Sequence, residues 1–249
     1  MQNSPLEKGI SSDTALGGRV KVLQPRKGYR FSVDAILLAR FASSRKVENC
    51  ADLGSGSGVV GLCLLALGST QKLLGVDIQE KFVDLAKSAA LLNGFDARAA
   101  FVVGDVRNMG PDCKGASMDL VVSNPPYRPT QGLRHSPDET VAIARNEVCG
   151  SLEDFVAAAS YLLKKEGTFC AVYPASRCHI LLATALAKGL NPVRVRFVHP
   201  RCGEAASLVL LEAVKGGRGS LVVEPPLMLH DGKLSARKYS DEAEALLGA

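Results

Sequence analysis

The sequence predicts a doubly wound α/β fold, a seven-stranded, mostly parallel sheet with helices on both faces. Three observations point to it. Short apolar runs alternate with longer helical stretches from about residue 49 onward, a glycine-rich turn joins the first of these strands to the first helix, and paired prolines close a later apolar run. In chain order, NCADL (49–53) reads as a strand and residues 58–67 as a helix. KLLGVD (72–77) reads as the next strand, followed by a helix over 80–93 with Gly94 in the usual stop position. AAFVV (99–103), MDLVVS (118–123) and TFCAVY (168–173) follow as strands, with helices over 152–164 and 174–189. VRVRFV (193–198) and SLVLLEAV (207–214) complete the sheet. Strands separated by helical crossovers run parallel, and a ligand of such a sheet sits outside the carboxyl ends of its strands.

This core spans residues 48–213. An extension, 1–47, carries a strand candidate, VKVLQ (20–24), and a helix candidate over 32–41 with Ser32 as N-cap and Asp34 in the first turn. A tail, 214–249, begins with Gly216-Gly217-Arg218-Gly219 and holds two short apolar runs, LVVE (221–224) and PLMLH (226–230), before a turn at Asp231-Gly232.

Composition narrows the function classes. The start of the chain, MQNSPLEKGISSD, is polar, and no segment approaches the roughly 18 consecutive apolar residues of a membrane span. The expectation is a cytoplasmic protein with no membrane partner. The 7 cysteines show no C-x-x-C spacing, so buried reduced thiols are expected and no metal site. The net charge of +5 leans toward polyanions. Basic residues gather at Arg19, Lys21, Arg26, Lys27 and Arg30, at Arg128 and Arg134, and from Arg194 to Lys238, and these groups would line one rim if the fold brought them together.

The turn DLGSGSGVVG carries Asp52-x-Gly54-x-Gly56-x-Gly58, and from Gly56 to Gly61 it also satisfies G-x-G-x-x-G. Glycines there let the backbone turn tightly and approach a nucleotide-like cofactor. Charge selects among cofactors. A carboxylate at Asp52 repels a pyrophosphate and stabilises the ammonium and sulfonium of S-adenosylmethionine. Asp77, closing the second strand, can accept hydrogen bonds from ribose hydroxyls, and Ile78 and Gln79 supply no cation for a 2′-phosphate. Asp105, after the third strand, is placed to meet an adenine. Acids at successive strand ends favour S-adenosylmethionine, held by Asp52, Gly54, Ser55, Gly56, Gly58, Asp77, Ile78, Asp105 and Val106.

The apolar run MDLVVS ends in Asn124-Pro125-Pro126-Tyr127. Two prolines remove two backbone donors and fix two φ angles, which makes a rigid ledge at a strand end. The Asn124 side-chain oxygen and the Pro125 carbonyl could each accept one N–H of a planar amine and aim its lone pair at a methyl donor, with no metal or strong base. Tyr127 offers a face for a stacked base.

The glycine turn followed by NPPY resembles the class I aminomethyltransferases, which act on adenine N6, guanine N2 or glutamine amides. QPRKGYRFSVDAILLARF (24–41), NPPYRPTQGLRHSPDETVAIARNE (124–147) and the tail around LMLHDGKLS look like the bacterial family that methylates N6 of the adenine beside the anticodon of a valine tRNA. That resemblance implies a Rossmann-like class I methyltransferase with tRNA as partner. It implies further that Gln24, Tyr29, Arg30, Phe31 and Ser32 border the cofactor or target pocket, and that Arg128 and Arg134 stand at the target entrance. Arg128 follows NPPY where the family often has phenylalanine, and Leu234 stands where a tyrosine is expected.

Other readings need features that the sequence lacks. A glutamine methyltransferase for release factors shares NPPY but needs a helical substrate domain, and only residues 1–47 precede the core. A DNA adenine methyltransferase needs a target-recognition insertion. An NAD-dependent oxidoreductase needs a hydride-transfer constellation, and His135, His179, His199 and His230 form none.

Overall fold

The computed structural model describes residues 9–27, 30–127, 150–232 and 238–248. Tyr29, Arg128, Arg134, Cys149 and Leu234 lie outside the described residues. A hairpin of β1 (Ile10–Ala15) and β2 (Val20–Pro25) precedes helix α1 (Val33–Ala42). Then come β3 (Val47–Leu53), α2 (Val59–Ala66), β4 (Thr70–Asp77), α3 (Glu80–Leu92), β5 (Ala99–Val103) and β6 (Met118–Ser123). Helix α4 (Leu152–Leu162) leads into β7 (Leu163–Pro174), a one-turn 3-10 helix (Ala175–Arg177) and α5 (Cys178–Ala187). Strands β8 (Leu190–His199), β9 (Leu208–Lys215), β10 (Val222–Val223) and β11 (Leu227–Met228) and helix α6 (Asp241–Leu247) complete the described chain.

Seven strands form the body of the sheet in the order β5-β4-β3-β6-β7-β9-β8, and only β9 runs against the rest. The strand order reverses between β3 and β6: the chain builds outward through β4 and β5 on one side, then returns to lay β6 and β7 on the other. The expected seven strands gain two. The apolar runs of the tail, β10 and β11, pair parallel with β8 at Arg194 and Val198, which covers its outer edge.

Inward and outward positions alternate on the central strands, so two cores form, one on each face. Cys50, Val122, Cys170 and Val172 face the core built with α1, α2 and α3, while Ala51, Leu53, Val121, Phe169 and Ala171 face the core built with α4 and α5. Cys50, Cys63, Cys113 and Cys170 are buried and free, as expected from their apolar settings, whereas Cys178 is half-buried and Cys202 exposed. Among the described residues no helix is long and apolar enough to cross a membrane.

The expected elements stand close to where their patterns place them, with informative differences. Strand β1, ISSDTA, carries polar residues on its open face and has no apolar run to announce it. Strand β7 begins five residues before its apolar stretch TFCAVY, and its pairing with β6 shifts between Met118 and Leu120, near Glu166 at φ 64°. Leu163 joins the sheet by pairing with Met118 and by full burial, while Lys165 and Glu166 are exposed where the register shifts. Pro192 sits in β8 where the register with β9 also shifts, an irregularity that accommodates the missing donor. Ser32 occupies the N-cap of α1 in extended geometry but makes no capping bond to the backbone; its hydroxyl bonds the Asp34 side chain instead.

Arg194 on β8 ties the two ends of the chain to the sheet. Its guanidinium donates to Glu212 (2.7 Å), Glu224 (3.0 Å) and the Phe41 carbonyl (2.9 Å), and lies 3.8 Å from the centre of the Phe41 ring. The Glu212 side chain is only 5 % exposed, so its charge depends on that partner, with Arg45 farther off at 3.7 Å. Removing one member of such a pair strands the other. Arg194→Ala should therefore lower stability by about 3 kcal/mol, read from urea unfolding. Lys188→Ala, which breaks an exposed pair with Glu153, should cost under about 1 kcal/mol. Equal losses for the two variants would contradict this role.

Candidate active site

The parallel strands present their carboxyl ends along one edge, in the spatial order β5, β4, β3, β6, β7. That edge carries, in sequence, Asp105, Asp77, the glycine turn, the NPPY ledge and the turn holding Arg177. Leu53 of β3 pairs with Ser123 of β6, and the Ser123 hydroxyl donates to the Leu53 carbonyl at 2.9 Å. Gly54 and Asn124 therefore each follow directly on a pair of residues in neighbouring strands, which are spaced about 4.8 Å apart. The ledge and the glycine turn meet at the reversal of strand order, where a doubly wound sheet opens its ligand crevice.

The glycines of the turn have separate duties. Gly54, Gly56 and Gly58 have φ of 68°, 51° and 81°, a region other residues rarely adopt. A Cβ on Gly56 would meet nothing within 4 Å, so its backbone borders open space where a ligand can approach. A Cβ on Gly58 would meet Phe101 at 2.9 Å and Ala86 at 3.1 Å, and one on Gly61 would meet Leu73 at 2.5 Å. Those two glycines let the turn and α2 pack against the sheet. Gly54 is exposed, and a Cβ there would meet the Phe155 ring at 3.0 Å. Phe155 is set in place by a reciprocal capping box between Ser151 and Asp154 at the start of α4.

Two acids lie beneath the turn. The Asp77 carboxylate accepts the Gly56 N–H at 2.8 Å on one oxygen and the Gln79 N–H at 2.9 Å on the other. The Ile78 N–H bonds the same carboxylate, which leaves one of its four lone-pair sites for a ribose hydroxyl. Burial nonetheless pushes its pKa up. Asp52 is 1 % exposed and accepts the Gly61 N–H at 3.1 Å, in the first turn of α2. Burial, and secondarily the nearby Asp77 charge, raises its pKa to about 7. Asp52, expected at the cofactor, lies buried under the turn and holds α2 through Gly61. Ser55, also expected at the cofactor, is enclosed within the turn. Its hydroxyl is buried beside Gly75 with no hydrogen-bond partner among the described residues, while its N–H and carbonyl close the turn through Val76 and Gly58.

At the next strand end, Asp105 is bound by its own neighbour. The Arg107 guanidinium donates to both carboxylate oxygens, and this pairing holds the carboxyl below its usual range. Val106 is buried, close to Gly150, and Ile78 is half-buried after Asp77. The expected Asp105 contact with adenine thus competes with an internal ion pair.

The resemblance-derived residues of the extension act chiefly on one another. Gln24 is 2 % exposed; its amide donates to Asp13 at 2.9 Å and its oxygen accepts the Phe31 N–H at 3.1 Å. Arg30 donates to Asp13, Ser11 and the Pro25 carbonyl. Gln24 and Arg30 therefore fasten the segment before α1 to the hairpin, and Phe31 packs against the core around α1. Several basic residues expected on a rim are also engaged: Arg194 with Glu212 and Glu224, Arg196 with Glu242, and Arg201 with Glu204.

On the ledge, Pro125 is buried, and Asn124, Pro126 and Tyr127 are half-buried. Tyr127 packs in part against the core around α4 and α5. Its carbonyl accepts a 2.6 Å hydrogen bond from Arg177, a contact that no motif announces. Among the described residues no cluster of three or more His, Cys, Asp or Glu is arranged to hold a metal ion.

Residues 32–194, well over half of the chain, match the family model described as methyltransferase small domain. The chain belongs to this family. Methyltransferase small domain relatives include a protein from Phocaeicola vulgatus named tRNA1(Val) (adenine(37)-N6)-methyltransferase, 27 % identical over 90 % of this chain and 92 % of its own. A protein of the same name from Aeromonas salmonicida is 29 % identical over 77 % of this chain and 79 % of its own. Another, from a Flavobacteriaceae bacterium, is 28 % identical, and the match spans 63 % of its length and 61 % of this chain. Among solved structures, a predicted O-methyltransferase from Agrobacterium tumefaciens superposes with a TM-score of 0.68 at 22 % identity, over 86 % of this chain and 94 % of its own. The doubly wound methyltransferase fold is thereby established.

Two consequences of the buried polar groups can be measured. Because the folded Asp52 holds its proton up to about 7 against an ordinary 3.8, the folded state binds more protons than the unfolded state in that window, and the protein loses stability as pH rises through it. Asp52→Asn keeps an acceptor for Gly61 without the charge. From about pH 5 to about pH 8 it should gain about 2 kcal/mol relative to wild type, read from paired urea titrations; a pH-independent difference would contradict the buried acid. Ser55→Ala removes a hydroxyl that has no partner and should leave the melting temperature unchanged or raise it by a few degrees, about 1 kcal/mol.

Proposed function

We propose that this methyltransferase small domain protein transfers a methyl group from S-adenosylmethionine to the exocyclic N6 amine of an adenine in tRNA, beside the anticodon, in the cytoplasm. The observation that carries the reading is the β3–β6 pairing, which sets Asn124 beside the glycine turn. The residues present fit the cofactor. The open face at Gly56 and the remaining lone pair of Asp77 offer a backbone approach and a ribose acceptor, with Gly54, Ile78, Asp105 and Val106 bordering the same edge. When bound, S-adenosylmethionine supplies an electrophilic methyl group on a positively charged sulfur.

The chain's own residues then do the positioning. The amine lone pair of adenine is delocalised into its ring. Accepting one N–H at the Asn124 side-chain oxygen and the other at the Pro125 carbonyl turns that nitrogen toward tetrahedral geometry and directs its lone pair at the glycine-turn side. Tyr127 offers its ring face to the flipped base. The same arrangement serves any planar amine. The adenine of a tRNA is favoured by the sequence blocks at 24–41 and 124–147 and by relatives that bear that activity in their names and align over most of this chain. Residues 1–47 and 214–249 are read here as additions to a methyltransferase core.

The test is incubation with labelled S-adenosylmethionine and total tRNA from cells lacking the gene, followed by nucleoside analysis. N6-methyladenosine is the expected product, whereas label found in protein alone would overturn the reading. Asn124→Ala should reduce transfer by about 100-fold or more while cofactor affinity stays within about twofold. Asp77→Ala should weaken cofactor binding first, by about tenfold, measured by calorimetry with S-adenosylhomocysteine.

A further inference from the structure

We propose that Arg177 is a positioning residue for the methyl transfer: its hydrogen bond to the Tyr127 carbonyl clamps the far end of the NPPY ledge and thereby sets the angle of the Tyr127 ring and of the acceptors before it. This inference rests on the functional reading above.

The ledge is a short segment with few soft angles. Pro125 and Pro126 fix their own φ, and Pro125 confines Asn124 to extended geometry. At its near end the Ser123 hydroxyl holds it to Leu53. Beyond Pro126, Tyr127 is held by packing against the core around α4 and α5 and by Arg177. Its Nη1 donates to the Tyr127 oxygen at 2.6 Å, a charge-assisted bond to a main-chain acceptor.

Arg177 is itself held in a way that suits a clamp. It ends the 3-10 turn that follows β7, and that turn is tied to β9 through the Ala175 N–H and the Ser207 carbonyl at 3.0 Å. Its guanidinium lies 5.5 Å from the centre of the Tyr173 ring, a side chain buried in β7. Strand β7 is the direct neighbour of β6, with Ser123 opposite Ala171, so the turn after Pro174 reaches the level of Tyr127 without a long excursion. A buried ring below, a tethered turn behind and a carbonyl in front constrain the guanidinium. The ledge is thus gripped at both ends, and a target amine meets acceptors whose angle is already set, which is where misplacement by about 1 Å can cost about 100-fold in rate.

The experiment has two independent readouts. In the first, wild type, Arg177→Ala and Arg177→Lys are compared for tRNA methylation and for affinity toward S-adenosylhomocysteine. Arg177→Ala is expected to lower kcat by about tenfold or more, with cofactor affinity within about twofold. Arg177→Lys, which keeps one charged donor, should recover part of the loss. A kcat for Arg177→Ala equal to that of an active wild type overturns the proposal. In the second, the protein is labelled with 3-fluorotyrosine at its 5 tyrosines, and the Tyr127 resonance is assigned by its loss in Tyr127→Phe. In Arg177→Ala that resonance should shift and narrow toward a freely rotating tyrosine while those of Tyr161 and Tyr239 stay in place. An unmoved Tyr127 signal overturns the clamp whatever the substrate. A wild type that transfers no methyl to tRNA overturns the functional reading, and the fluorine spectrum then decides the clamp alone.

Discussion

The parallel pairing of β3 with β6 is the constraint on which the site depends. Each strand alone ends in an unremarkable turn. Placed side by side with Leu53 opposite Ser123, they set a glycine backbone that borders open space next to an amide followed by two prolines. Because side chains alternate across a strand, a slip of one residue in this register would move Val122 and Val121 to the wrong cores as well as displacing the ledge. The same hydrophobic pattern that stabilises the sheet therefore fixes the spacing of the chemistry.

Around that pairing, polar groups separate into those that build the turn and those that remain available. Asp52, Ser55, Gly58 and Gly61 serve the architecture: a carboxyl under the first turn of α2, a hydroxyl enclosed beside Gly75, and two glycines that admit Phe101 and Leu73. Asp77 serves both ends. It orders the turn through Gly56, Gln79 and Ile78 and keeps one acceptor site. Its burial strengthens any hydrogen bond made there, because no bulk water competes for it.

Much of this arrangement was legible in the sequence, for definable reasons. Hydrophobic runs bounded by glycine or proline marked the seven central strands, since burial on both faces demands apolar residues regardless of register. The glycine turn and NPPY were visible because φ above zero and fixed prolines narrow the choice of residue. What escaped was contact made by ordinary residues through tertiary packing. Strand β1 is polar on its open side, and β10 and β11 are too short to carry a period. Phe155 borders Gly54 through a helix from another part of the chain, and Arg177 finds Tyr127 through its backbone, which leaves no trace in the sequence of either. The burial of Asp52 and Ser55 could not be read because a motif gives spacing but not the side toward which a side chain turns.

The Arg194 cluster has a bearing on the order of assembly. The contact joins β8 to the Phe41 carbonyl across 153 residues of chain, and closing loops of that length is entropically slow compared with forming local helices and hairpins. During synthesis, α1 leaves the ribosome long before the arginine that fastens it. The fastening of α1 to β8 through Arg194 thus belongs to a late stage of maturation, after α1 has met α2.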